Sequence, residues 1–170
     1  MKQEIIDKLP SDVRKEFMKY AIKLDQKKTQ NKVKSDFLTF VKHVWPEFIE
    51  GDHHKKISEK FNRLAKGECK RLIINMPPRH TKSEFASYLL PSWMVGRKPD
   101  LKIIQTTHTT ELAIRFGRKA KTLIDSAEYQ QVFKTRLRED SQAAGKWETE
   151  QGGEYYAAGV GSAITGRGAD

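Results

Sequence analysis

Apolar residues recur along this chain first at helical spacing, then in short strand-like runs, then in alternation. Residues 1–34 are poor in Gly and Pro, and Val13, Phe17, Tyr20 (or Met18), Ile22 and Leu24 set a ragged apolar stripe among many lysines. The run Lys27-Lys28-Thr29-Gln30-Asn31-Lys32 carries nothing apolar before Val33 and is expected to be a frayed helix end or hinge. "SDFLTFVKHVW" (35–45) restarts a helix. Ser35 is its expected N-cap, Phe37, Phe40, Val41 and Val44 share one face, and Pro46 stops it. Gly51-Asp52 opens a further helix over 53–66, with Ile57, Phe61 and Leu64 inward and Gly67 at its end.

"KRLIINM" (70–76) is short and β-rich and reads as a buried strand. Helical spacing returns over 82–95, where Pro91 is expected to kink or cut the helix near Leu90. "LKIIQT" (101–106) is a second strand and 109–126 an amphipathic helix. That order of helices and strands is an α/β pattern and implies a parallel sheet. From about 135 the character changes. "KWETEQGGEYYAAG" (146–159) reads as a hairpin around Gly152-Gly153, and the glycine-rich end stops at Asp170. Two parallel strands make too small a sheet to stand alone, so the chain is expected to be the front part of a larger domain.

Composition adds a bias toward polyanions. The 170 residues are 37% apolar and 32% charged, with a formal net charge of +10. This favours nucleic acid first and an anionic membrane second, against the plainer alternative of a well-solvated surface. Cys69 is the single cysteine, which excludes an internal disulfide, suits a reducing compartment and reads as a partly buried thiol. No apolar run approaches the roughly 20 residues of a membrane helix, and the N-terminus lacks the apolar stretch of a signal peptide.

The candidate chemistry lies in "INMPPRHTKSE" (74–84). A phosphate loop reads G-x-x-x-x-G-K-S/T between a strand and a helix. Here Met76 and Thr81 occupy the two glycine positions, while Lys82 and Ser83 remain. Free amides and the dipole at the helix start favour an anion. Lys82 can reach β and γ phosphates, and the Ser83 hydroxyl can ligate Mg²⁺. Arg79 and His80 add donors; Pro77 and Pro78 stiffen the approach at the expense of amides. Thr81 costs about 1 kcal/mol if that position requires positive φ. The alternative is an ordinary strand-to-helix turn with a solvated Lys-Ser. A second signal is Thr106, Thr107 and Thr109 at the start of the next helix, with Arg115, Arg118 and Lys119 along it, suited to nucleic-acid phosphates or simply to capping and solvation.

Two blocks together, "RLIINMPPRHTKSEFASYLLPSWMVGRKPDLKII" and "WETEQGGEYYAAGVGSAITGRGAD", resemble the large terminase subunit of tailed bacteriophages over roughly residues 35–170. The basic helical segment at 1–34 carries little of this resemblance, which implies the front of an ATPase domain at 35–170. That domain is α/β, a P-loop NTPase core of the RecA-like, additional-strand type, partial here, with helices before it and a β-hairpin near its end. In the family it is an ATPase that drives double-stranded DNA into the procapsid, and a C-terminal RNase H-like nuclease cuts the concatemer. The cofactors implied are ATP and Mg²⁺. Residues 76–83 become a variant phosphate loop in which Pro78, Arg79, His80, Thr81, Lys82 and Ser83 meet the nucleotide. Lys82 contacts phosphates, Arg79 stabilises charge on the γ-phosphate and Ser83 holds the metal. Asp52-His53-His54 falls where the family contacts adenine, with His54 the best match, although the plainer reading is a solvated helix start. The histidines have no metal-ligand spacing with His43, Cys69 or His80.

The acidic Walker B strand and the nuclease are expected beyond Asp170, so these residues alone should hydrolyse ATP poorly. Expected partners are double-stranded DNA, the portal protein and the small terminase subunit. The full-length protein would form a pentamer on the procapsid in the host cytoplasm, with no membrane involved. Two other readings stay open. "TTHTTELA" (106–113) is similar to the "PTRELA" segment of DEAD-box helicases, which suggests a helicase-like translocase. The basic charge also suits a non-catalytic DNA-binding adaptor in which Lys82 is structural. The lysines of 14–34 either touch DNA or a partner, or merely solubilise a helix face.

Overall fold

The computed structural model describes residues 10–170, so residues 1–9 of the N-terminal segment expected to be helical lie outside the described residues. Helix α1, Ser11–Ser35, runs without a break through the lysine-rich stretch expected to fray. Tertiary anchors near its end explain this. Val33 is buried, its carbonyl accepts the Trp93 indole N–H at 3.0 Å, and the Gln30 amide donates to Gln131 O at 2.8 Å. The stripe further up the helix is not covered: Val13, Phe17, Met18, Tyr20, Ile22 and Leu24 are all exposed.

The chain turns at Asp36, which takes the capping role expected of Ser35. Its carboxylate accepts the Thr39 N–H at 2.8 Å, while Ser35 ends α1. Helix α2, Phe37–Val44, buries Phe37, Phe40 and Val41. Helix α3, Asp52–Ala65, packs Phe61 inward, and Gly67 follows in the left-handed region, as the spacing predicts.

Residues 70–76 depart from expectation. They are extended but pair with no strand among the described residues. Leu72 and Ile74 pack against the core while Ile73 is 86% exposed, so one face is covered rather than both. The run has β character, yet a strand exists only where a neighbouring ladder takes its amides and carbonyls.

Helix α4 spans 82–97, in three parts. A first turn at Lys82–Glu84 leads into a widened π turn at Phe85–Leu89, and Leu90–Arg97 completes it. Pro91 therefore neither cuts nor ends the helix. Its ring would collide with the carbonyl four residues back, and the turn just before it loosens: the Leu90 N–H reaches Phe85 O, five residues back.

The remaining elements are β1 (Lys102–Thr107), α5 (Thr110–Ile124), α6 (Ala127–Val132), β2 (Leu137–Ala143), β3 (Lys146–Thr149) and β4 (Glu154–Gly159). Together they make an α/β arrangement with a mixed four-stranded sheet, ordered β1-β4-β3-β2. Only β1 and β4 are parallel, which corrects the expected parallel sheet. The β3–β4 hairpin forms where Gly152-Gly153 predicts it, whereas β2 and α6 carry no clear signal in the sequence. Residues after β4 return to the start of β1, where the Asp170 N–H donates to Lys102 O at 3.1 Å.

Helix α5 lies against β1 and β4, and Gly117 sets how closely. A Cβ there would stand 2.4 Å from Ala144 O and 2.8 Å from the Tyr155 ring, and the Gly117 carbonyl accepts the Trp147 indole N–H at 3.3 Å. Trp147 and Tyr155 stack beneath it with centroids 4.8 Å apart. Gly117→Ala should therefore destabilise the fold by about 1–3 kcal/mol, read as a lower Tm; an unchanged Tm would contradict this packing. By contrast, Ile73→Lys should alter stability by no more than about 0.5 kcal/mol, because that side chain stands in solvent. A large loss would mean that 70–76 is buried on both faces.

Candidate functional site

The loop between the extended segment and α4 forms a pocket of about 550 Å³ lined by residues 76–84. Its backbone takes conformations that ordinarily favour glycine. Arg79 has φ 64° and Thr81 φ 57°, both in the left-handed region, with His80 between them outside it. Alternation of this kind curves successive amides into a concave row that favours anions. Among the described residues no acceptor is found for the backbone N–H groups of 80–83. Lys82 folds back across the loop and its Nζ donates to Met76 O at 3.4 Å. The pocket wall thus brings together Pro78, Arg79, His80, Thr81, Lys82 and Ser83, and the exposed Arg79 is free of any ion pair among the described residues.

His54 is placed differently. It is 5% exposed and lies under the loop, against the rings of Phe48 (4.7 Å) and Phe85 (4.9 Å). The Gly51 N–H donates to its Nδ1 at 2.9 Å, which closes the first turn of α3. That bond requires a bare Nδ1, so the proton sits on Nε2 and is donated to Thr81 Oγ1 at 2.7 Å. Thr81 Oγ1 in turn donates to His80 O at 2.7 Å. The His53 ring meets that of His54 at 3.8 Å, tilted by 45°, and lies 5.7 Å from His80, whose Nδ1 donates to Pro78 O. Burial lowers the His54 pKa, and the neighbouring His53 and His80 lower it further against the opposing pull of Glu50. Sequence spacing could place His54 at a helix start but gave no sign of its contact with Thr81, which is 27 residues away.

The residues present fit a polyphosphate, since free amides, Lys82, Arg79 and the Ser83 hydroxyl share one concave wall. For a magnesium ion they supply the Ser83 hydroxyl alone. The adjacent carboxylate, Glu84, is engaged by Lys119 Nζ at 2.7 and 2.9 Å. Among the described residues no three of His, Cys, Asp and Glu converge for a metal.

The second basic signal resolves into separate parts. The Thr109 hydroxyl caps α5 by accepting the Leu112 N–H at 3.3 Å, and Thr107 Oγ1 donates to Thr109 O. Arg115, Arg118 and Lys119 line a broader groove of about 780 Å³ with Val44, Trp45 and Tyr88. Glu84 lines both cavities. No described helix is long and apolar enough to cross a membrane. Comparison with known protein families, curated proteins and solved structures finds no match to the chain.

Burial and the Gly51 bond both favour neutral His54, which gives a pH dependence of definite sign. Its stabilising effect is complete above the ordinary imidazole value of 6.5 and is lost as pH falls through the lowered folded value. Thermal unfolding from about pH 7.5 down to about pH 5 should show a fall in Tm that shrinks in His54→Gln. Equal slopes in the two proteins would refute the assignment.

Proposed function

We propose that this chain is the nucleotide-binding portion of a P-loop ATPase, gripping the phosphates of ATP with the loop at 76–83. The observation that carries the reading is the loop's backbone. Thr81, at the second glycine position of the pattern, holds a left-handed conformation, Arg79 two residues before it does the same, and amides with no backbone partner follow at the start of α4. Such conformations cost about 1–3 kcal/mol each and persist where the surroundings impose them, most often at functional sites.

In this reading Lys82 neutralises the β and γ phosphates from across the loop, and Arg79 approaches from the solvent side toward the terminal phosphate. The backbone amides of 80–83 and the His80 side chain complete the cradle. The Ser83 hydroxyl would hold Mg²⁺, whose charge screens the phosphates when bound. Glu84 is tied to Lys119, so the chain's own residues support binding and orientation of the nucleotide, and the base that activates water is not assigned among them.

The resemblance to the large terminase subunit extends this to a motor that moves double-stranded viral DNA into a procapsid, with the portal protein and small terminase subunit as partners. The net charge of +10 supports a DNA backbone as the polymer gripped.

Calorimetric titration with magnesium-ATP tests the reading. Lys82→Ala should weaken binding by about tenfold or more, equivalent to about 1.4 kcal/mol. Undiminished affinity in that variant, or no binding by the folded wild type at millimolar nucleotide, would overturn it in favour of a non-catalytic module.

A further inference from the structure

We propose that His54 is a positioning residue for the phosphate loop: as a neutral imidazole fixed by the Gly51 N–H, it donates to Thr81 Oγ1 and so holds Thr81 in the left-handed turn that aims the loop's amides at phosphate. The inference rests on the reading of 76–83 as a nucleotide loop.

The geometry is a four-group relay. The Gly51 N–H donates to His54 Nδ1, His54 Nε2–H donates to Thr81 Oγ1, and Thr81 Oγ1–H donates to His80 O, at 2.9, 2.7 and 2.7 Å. Each link has one donor and one acceptor, with His54 and the Thr81 hydroxyl accepting one bond and donating the next, so the relay has a single direction and matches the neutral Nε2–H tautomer. Thr81 is β-branched and sits at φ 57°, a conformation that such a side chain avoids. An ordinary phosphate loop has glycine at this position and needs no such support. Here the support comes from another helix, α3, through a ring packed against Phe48 and Phe85. Because Phe85 itself lies in α4, the same ring fixes both sides of the turn.

Protonation at Nδ1 would break the bond from Gly51 that fixes the ring, while Nε2–H remains a donor to Thr81 Oγ1. The charged and titratable groups around His54 are His53 on its own helix, His80 on the loop, and Glu50 just before α3, with Glu50 held by Lys42 and Lys55. Arg79 and Lys82 add positive charge on the loop. Acidification therefore loosens the turn that phosphate requires, and the neutral form is the competent one.

The test uses the whole chain. Magnesium-ATP affinity is measured by calorimetry for wild type, His54→Ala, His54→Gln, Thr81→Gly and the double variant His54→Ala/Thr81→Gly, at pH values from about 7.5 to about 5.5, spanning the imidazole range. His54→Ala should bind about tenfold more weakly, of the order expected when one buried hydrogen bond and the geometry it enforces are lost. Thr81→Gly in that background should restore most of the loss, because glycine adopts positive φ unaided. His54→Gln, whose amide can donate from the Nε2 position, should recover much of the affinity and flatten its decline at low pH.

Wild-type affinity in His54→Ala, or no rescue by Thr81→Gly, would overturn the proposal. If His54→Ala does not fold, His54→Gln decides through its pH profile, and an unflattened profile refutes. The peg is also read without nucleotide, by a double-mutant cycle of Tm values across His54 and Thr81. Absence of coupling refutes the proposal even if ATP binds. Coupling without ATP binding by the wild type would locate the failure in the nucleotide reading and remove the role in phosphate binding.

Discussion

The packing of Phe37 holds the two halves of this molecule together. Its ring is fully buried and meets Phe61 of α3 at 5.0 Å, Phe85 at 5.4 Å and Trp93 at 5.5 Å. Phe85 and Trp93 belong to α4, so the N-terminal helices and the helix that leaves the loop share one aromatic knot. Rings packed edge-to-face contribute beyond the area they bury, each pair by about 0.5–1.5 kcal/mol. The Trp93 N–H is spent on Val33 O, which ties the end of α1 to the same centre. Everything at the loop depends on this. The His54 ring touches the knot through Phe85, and Thr81 touches His54.

The loop is consequently held from below by neighbours distant in sequence, with few contacts of its own. The extended approach at 70–76 is pinned at Leu72 and Ile74 but unpaired. The departing helix is fixed at Phe85. Between them the backbone takes two left-handed turns without glycine, and His54 holds the second. Such a loop draws from α3 the support for a left-handed turn that glycine would adopt without strain. It also becomes sensitive to anything that moves α3 or charges its imidazole.

Much of the architecture was legible because it rests on local chemistry. The faces of α2, α3 and α5, the glycine end of α3, and the hairpin at Gly152-Gly153 follow from spacing and turn residues. The strained Thr81 was legible as well, from its place in the pattern of a phosphate loop. What was misread depended on partners. The lysine run of α1 was expected to fray because its own residues offer no apolar anchor; Trp93 and Gln131 hold it from elsewhere. Pro91 was expected to kink or cut α4 near Leu90; the helix is not cut, and a π turn just before Leu90 accommodates the ring.

The sequence by itself determined which residues could meet a phosphate: Arg79, His80, Lys82 and Ser83 lie within five positions of one another, and adjacency along the chain already groups them. It also determined the basic balance and the residues that face the core. Tertiary structure alone decided that 70–76 stays unpaired, that the sheet is mixed, and that His54 lies under the loop. The physical reason is the same in each case. Ladder pairing and side-chain hydrogen bonds between residues tens of positions apart depend on which surfaces the packed helices bring together, and spacing along a chain does not encode that distance.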